Sequence, residues 1–218
     1  METRTRIRLA PPDETRPRLA VMPVDEAQRW NSRFDAKQDR LAVLVFVTQS
    51  AYARICVHTA SDLDNEVGGV LVGQRYLDEA AGEQFVVTES VIPACYTRQG
   101  PVYLTFTQDS LVYFHTTLEQ RYPGKRIVGW YHTHPRMGIF LSHYDTWLHG
   151  SFFSEPWQVA LVVEPHTSTA GFFVRQANGI LDPTRYFGFY ELNGAFGHSL
   201  MHWQNLYRAR EEREQKSP

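Results

Sequence analysis

The stretch Val128-Gly129-Trp130-Tyr131-His132-Thr133-His134-Pro135, continuing through Arg136-Met137-Gly138-Ile139-Phe140-Leu141 to Ser142-His143-Tyr144-Asp145-Thr146-Trp147-Leu148-His149, concentrates the chemistry of this chain. The apolar run from Ile127 to Tyr131 reads as a strand, and alternation along a strand puts His132 and His134 on one face. Pro135 ends the ladder because it has no N–H to donate. A turn through Gly138 leads to Ser142, where a helix begins, with Asp145 in its first turn. Two imidazoles from a strand end and a carboxylate from a helix start make a candidate open three-ligand zinc site. Catalytic zinc takes three protein ligands and leaves the fourth position to water, and a set of N and O donors suits zinc better than iron–sulfur chemistry.

The same residues have other readings. Ser142 with Asp145 three residues on is a variant of the helix capping box. His149 lies four residues after Asp145 and shares its helix face, so it is a rival ligand. Spacing alone does not choose between Asp145 and His149.

His132-Thr133-His134-Pro135, six residues, then Ser142-His143-Tyr144-Asp145 resembles the His-X-His-Pro-x6-Ser-x2-Asp signature of the JAMM/MPN+ zinc metalloproteases. That family also carries an upstream glutamate at a glycine-rich strand, which Asn65-Glu66-Val67-Gly68-Gly69-Val70-Leu71-Val72-Gly73 matches. The likeness extends over most of residues 41–192. It implies an α/β fold of MPN (cytidine-deaminase-like) type, a mixed β-sheet sandwiched by helices. It also implies one Zn2+ held by His132, His134 and Asp145. Zinc would acidify a water, Glu66 would take its proton and pass it to the leaving amine, and Ser142 would donate to the oxygen that becomes negative. Removal of Glu66 is then expected to stop turnover and leave zinc bound. Thr133 and Trp130 read as support. The loop Pro93–Val102 falls where the family borders its substrate groove, which makes Tyr96, Arg98 and Tyr103 candidate substrate contacts.

The passage from Gly138 to Val163 (GIFLS, then PWQVALVV) resembles prokaryotic members associated with ubiquitin-like conjugation systems. The resemblance therefore implies a deubiquitinase-like isopeptidase acting on a ubiquitin-like protein or its conjugates. The extended tail of such a partner can lie as an added strand beside a sheet edge. Two alternatives are a processing peptidase for a sulfur-carrier tail and a non-catalytic MPN scaffold subunit; intact Glu66 and ligands speak against the scaffold. A homodimer or a conjugation-system complex is left open.

The 218 residues are 43% hydrophobic and 13% aromatic, enough to bury a substantial core. A net charge of −2 gives no general attraction to nucleic acid. No apolar run reaches membrane-spanning length, and the N-terminus lacks the apolar core of a secretory signal. Two cysteines, Cys56 and Cys95, make neither a disulfide scaffold nor a thiolate zinc site, so a reduced, cytoplasmic setting is expected.

Three segments are expected: an Arg/Pro-rich extension over 1–40, a catalytic domain over 41–195, and a helical extension over 196–218. The first 22 residues read as a flexible tail, a docking arm, or a strand added to a neighbour's sheet. A short helix is expected around Asp25–Arg33. Strands are expected at Leu41–Thr48, Val67–Val72, Gln84–Ile92, Pro156–Val163, Gly171–Arg175 and Arg185–Leu192. Helices are expected at Gln49–Thr59, from a Thr107 or Asp109 cap to about Arg121, at Tyr144–Phe152, and at His198–Glu214, docked by Trp203 and Leu206.

Overall fold

The computed structural model describes residues 16–35, 40–95, 97–192, 194 and 198–209, without the side chains of residues 98 and 99. The chain runs β1 (Arg18–Leu19), β2 (Ala27–Asn31), β3 (Leu44–Thr48), α1 (Gln49–Thr59), β4 (Gly68–Asp78), β5 (Glu83–Pro93), β6 (Thr97–Gly100), β7 (Tyr103–Phe106) and α2 (Gln108–Arg121). It continues through β8 (Arg126–Thr133), α3 (His143–Phe152), β9 (Val159–Glu164), β10 (Thr169–Phe173), β11 (Phe189–Leu192) and β12 (Tyr207–Arg208). A mixed sheet ordered β10-β9-β8-β4-β5-β3-β11-β2-β12, with β1 beside β4, forms the body; β6 and β7 make a separate two-stranded ribbon. This is the mixed α/β architecture that the sequence implies. No helix among the described residues is long and apolar enough to cross a membrane.

The continuous apolar run of β3 follows from burial on both faces. Val45 and Val47 enter the main core, while Phe46 turns the other way to meet Phe85, Val87 and Tyr190. Central β4 lies antiparallel to β5 and β8, and its glycines are needed for that approach. A Cβ on Gly68 would lie 2.4 Å from the Tyr131 carbonyl oxygen, and one on Gly69 would lie 2.3 Å from that of Ile92. The Gly68-Gly69 pair thus admits neighbouring backbone. Helix starts follow their caps: Thr48 accepts from the Ala51 amide, and Thr107 from the Ser110 amide, each at 3.2 Å.

Three local expectations are corrected. The helix expected at Asp25–Arg33 is a single 3-10 turn, Val24–Glu26, followed by strand β2, which pairs antiparallel with β11. The loop expected at Pro93–Val102 contains β6 and opens the β6–β7 ribbon. The terminal helix expected from His198 is absent from residues 198–209, which hold turns and β12; residues 210–214 lie outside the described residues. Tertiary pairing overrides local propensity in each case. In the last, Trp203 and Leu206 are buried as expected, but by a tight turn in which the Leu206 amide donates to the Trp203 carbonyl. Asn205 then pairs with both backbone groups of Ala170 at 2.9 Å, as a neighbouring strand would. At the other end, Arg18 and Leu19 add a short parallel strand to this chain's own β4.

Glu191 ties these peripheral pieces to the sheet. Its buried carboxylate accepts from Trp30 Nε1 and Gln49 Nε2 at 3.0 Å, from the Leu200 amide at 2.8 Å, and from Ser199 Oγ. Burial alone would push this carboxyl up, but the bonds from Ser199, Leu200, Gln49 and Trp30 outweigh it and hold the group below its usual value. The folded state therefore binds this proton less tightly than the unfolded chain. The stabilisation is complete above pH 4.5 and is lost as pH falls through the lower folded value. Urea unfolding is expected to show Glu191→Gln destabilised by about 2–3 kcal/mol at pH 7, with the gap from wild type closing below pH 4.5.

Candidate metal centre

The site is assembled where β8 leaves the sheet. His132 is opposite Gly68 of β4 and Val162 of β9. The chain holds its ladder one step further, since the His134 amide donates to the Val163 carbonyl at 2.9 Å. Thr133 faces the other way, where its Oγ1 accepts from the Val67 amide at 2.9 Å and its own amide donates to the Val67 carbonyl at 2.8 Å. These bonds fix the backbone beside Glu66. Pro135 then begins a turn in which Arg136 has φ +61° and Gly138 φ +85°. The left-handed conformation of Arg136 costs energy for a residue with a side chain, and its amide is held at 3.0 Å by Glu164 Oε1. Glu164 also accepts from the amides of His166 and Thr167. The sequence reading missed this anchor; its signal was an acidic residue at the end of an apolar strand, followed by Pro165.

Ser142 caps α3, and both halves of the capping box are present. Ser142 Oγ accepts from the Asp145 amide at 3.1 Å, and the Ser142 amide donates to Asp145 Oδ2 at 2.7 Å. This cap aims the Asp145 carboxylate at the histidines. His132 Nε2 is 3.4 Å from Asp145 Oδ1, His134 Nε2 is 3.5 Å from Oδ2, and the two Nε2 atoms are 3.0 Å apart. The capping reading and the clustering of Asp145 with the histidines are therefore compatible.

This donor set fits a zinc ion. Zinc bonds of about 2.0–2.2 Å to nitrogen and oxygen require donor atoms a few ångströms apart, and one ligand atom from each of His132, His134 and Asp145 lies within 4.8 Å of the other two. His134 Nδ1 donates to the Gly138 carbonyl at 3.3 Å, which leaves the Nε2 lone pair facing the cluster. His132 is fully buried, and burial pushes its imidazole toward the neutral form in which a ring nitrogen can ligate, against the opposing pull of Asp145. His149, the rival ligand, is outside this group of three. Its Nδ1 accepts instead from Trp130 Nε1 at 3.1 Å.

Glu66 stands just before β4 with 3% of its surface exposed. Its carboxyl is pushed up to about 8, first by burial and then by the negative charge of Asp145, so the two carboxylates share one neighbourhood. The Glu66 amide donates to the Gly100 carbonyl at 2.9 Å, which attaches the β6–β7 ribbon directly to this residue. Thr105 of the ribbon meets Tyr144 of α3 through a 2.5 Å hydroxyl contact. The ribbon thus spans from Glu66 to the helix that bears Asp145. Of the candidate substrate contacts, Tyr103 is half exposed on β7, Arg98 lies in β6 with its side chain outside the described residues, and Tyr96 lies outside them altogether.

Comparison with known proteins agrees with this architecture. Residues 42–154, just over half of the chain, match the family model described as JAB1/Mov34/MPN/PAD-1 ubiquitin protease. The 26S proteasome regulatory subunit RPN11 of Candida glabrata is 27% identical over 152 residues, covering 68% of this chain and 47% of that protein. An uncharacterized protein of Caenorhabditis elegans is 30% identical over 130 residues, covering 58% and 39%. The NAD(+) hydrolase TcpA of a Theionarchaea archaeon is 36% identical over 76 residues, covering 34% and 22%. The matched regions thus span between about a fifth and about half of these relatives' lengths. With a family match over residues 42–154, the chain belongs to the JAB1/Mov34/MPN/PAD-1 family.

Proposed function

We propose that this protein is a zinc-dependent peptidase or isopeptidase that cuts after the C-terminal tail of a ubiquitin-like protein. The observation that carries the reading is the buried His132–His134–Asp145 cluster with the raised carboxyl of Glu66 beside it. Zinc in such a site supplies Lewis acidity that polarises a carbonyl and acidifies water. The rest is the work of this chain's own groups. Glu66, buried beside the cluster, takes a proton from the attacking water and returns it to the departing amine. Ser142 Oγ accepts from the Asp145 amide, and in this reading its hydroxyl turns to donate to the oxygen that gains negative charge. Thr133 and Gly100 keep Glu66 in register through their bonds to Val67 and to the Glu66 amide.

The family and the ribbon support this substrate class. RPN11 is a proteasome subunit, and the matched family is described as a ubiquitin protease. A two-stranded ribbon anchored at Glu66 can receive an extended tail as an added strand, with backbone hydrogen bonds supplying the affinity.

Zinc-loaded protein is expected to cleave members of a panel of ubiquitin-like C-terminal fusions and isopeptide conjugates after the terminal glycine, and to stop on chelation. Cleavage confined to sulfur-carrier fusions would move the substrate to that class. Stoichiometric zinc and tight binding to one panel member without cleavage would make the chain a scaffold instead.

A further inference from the structure

The two histidines of the cluster are held differently. A metal-binding imidazole is ordinarily steered through the hydrogen bond of its remote N–H. His134 has that bond, to the Gly138 carbonyl. His132 does not: among the described residues its buried Nδ1 finds no hydrogen-bond partner. Its ring lies instead against Trp130, two residues earlier on the same face of β8, with centroids 4.4 Å apart and planes within 6°.

The indole is itself fixed. Trp130 Nε1 donates to His149 Nδ1 at 3.1 Å. Phe153 stacks with it at 5.8 Å and 12°, and Phe106 meets it edge-on at 6.0 Å and 82°. Arg175 Nη2 donates to the Phe153 carbonyl at 3.0 Å and so secures that neighbour. Because His149 Nδ1 accepts, the proton of that ring is on Nε2. Burial, and then the charge of Arg175, push His149 down to about 3, so the acceptor persists across the physiological range.

We propose that Trp130 is the positioning residue of His132. Its indole face sets the imidazole plane so that Nε2 faces Asp145 and His134, and His149 sets the rotation of the indole. The inference rests on the zinc reading of the site. An imidazole that has given its lone pair to a cation is electron-poor, and the face of an indole is electron-rich, so the stack strengthens when metal binds. Trp130 therefore acts on metal affinity as well as on core packing.

The test uses the full chain as wild type, Trp130→Leu, Trp130→Phe and His149→Leu, each verified as folded by circular dichroism. Zinc affinity is measured by competition with a chromogenic chelator, and ligand geometry by the visible absorption of the Co2+ form. Trp130→Leu is expected to bind zinc at least about tenfold more weakly, with displaced cobalt bands, within the range known for lost outer partners of metal ligands. Trp130→Phe keeps an aromatic face and is expected to recover most of the affinity. His149→Leu is expected to fall between them. A folded Trp130→Leu with wild-type affinity and spectrum would overturn the inference. If that variant does not fold, His149→Leu decides: an altered spectrum supports the role, and an unchanged affinity and spectrum overturn it. A wild-type chain that binds no zinc refutes the zinc reading itself, which is a separate and visible failure.

Discussion

Glu66→Gln is expected to lower kcat/KM by about 10²–10⁴-fold, the usual contribution of a positioned proton carrier, while the chain still binds zinc. The amide matches the carboxyl in shape but cannot take a proton. The His134–Gly138 bond and the Ser142–Asp145 capping box persist, since neither uses the Glu66 side chain. Elemental analysis beside a cleavage assay checks both halves at once. Loss of zinc together with activity would make Glu66 a structural member of the cluster, and retained activity would remove it from the chemistry. The metal-free chain provides an independent readout. The folded carboxyl is raised from 4.5 to about 8, so the native state binds an extra proton and loses stability as pH rises through that interval. The loss is up to about 1.4 kcal/mol per pH unit. Glu66→Gln removes it, so stripped wild type should weaken between pH 5 and pH 8 relative to the stripped variant.

Asp145→Ala is expected to weaken zinc binding by at least about 10²-fold, beyond the range for losing an outer partner of a ligand. It also removes half of the α3 capping box, at a further cost of roughly 1 kcal/mol. Asp145→Asn separates the two roles. Its side-chain oxygen can still accept from the Ser142 amide, so helix stability is retained while the anionic ligand is lost. Thermal unfolding with and without chelator is the measurement. Wild type should drop on chelation, because a ligand that binds only the folded state stabilises it, and both variants should drop by clearly less. A chelator response in Asp145→Ala equal to that of wild type would place the metal elsewhere.

Much of the core was legible because its signals are local. The apolar run of β3, the helix start at Ser142, and the alternation that puts His132 and His134 on one face are each written within a few residues, while the start of α2 was narrowed only to Thr107 or Asp109. The proximity of Asp145 to the histidines was legible for the same reason, though spacing could not separate it from His149. That choice depends on Trp130, whose indole N–H engages His149 Nδ1 within the core. The peripheral strands were misread because their stabilisation is distant. Ala27–Asn31 is a strand through pairing with β11, and the segment from His198 is shaped by Glu191 and by Ala170. The β6–β7 ribbon lies in a stretch with Pro93, Gly100 and Pro101, residues that read as loop punctuation, and it stands apart from the main sheet.

The most direct test of the account is the anomalous difference density of zinc-soaked crystals of this chain. One peak per chain is expected, about 2.0–2.2 Å from His132 Nε2, His134 Nε2 and a carboxylate oxygen of Asp145. No peak at that position, or a peak ligated by His149 in place of Asp145, would contradict it.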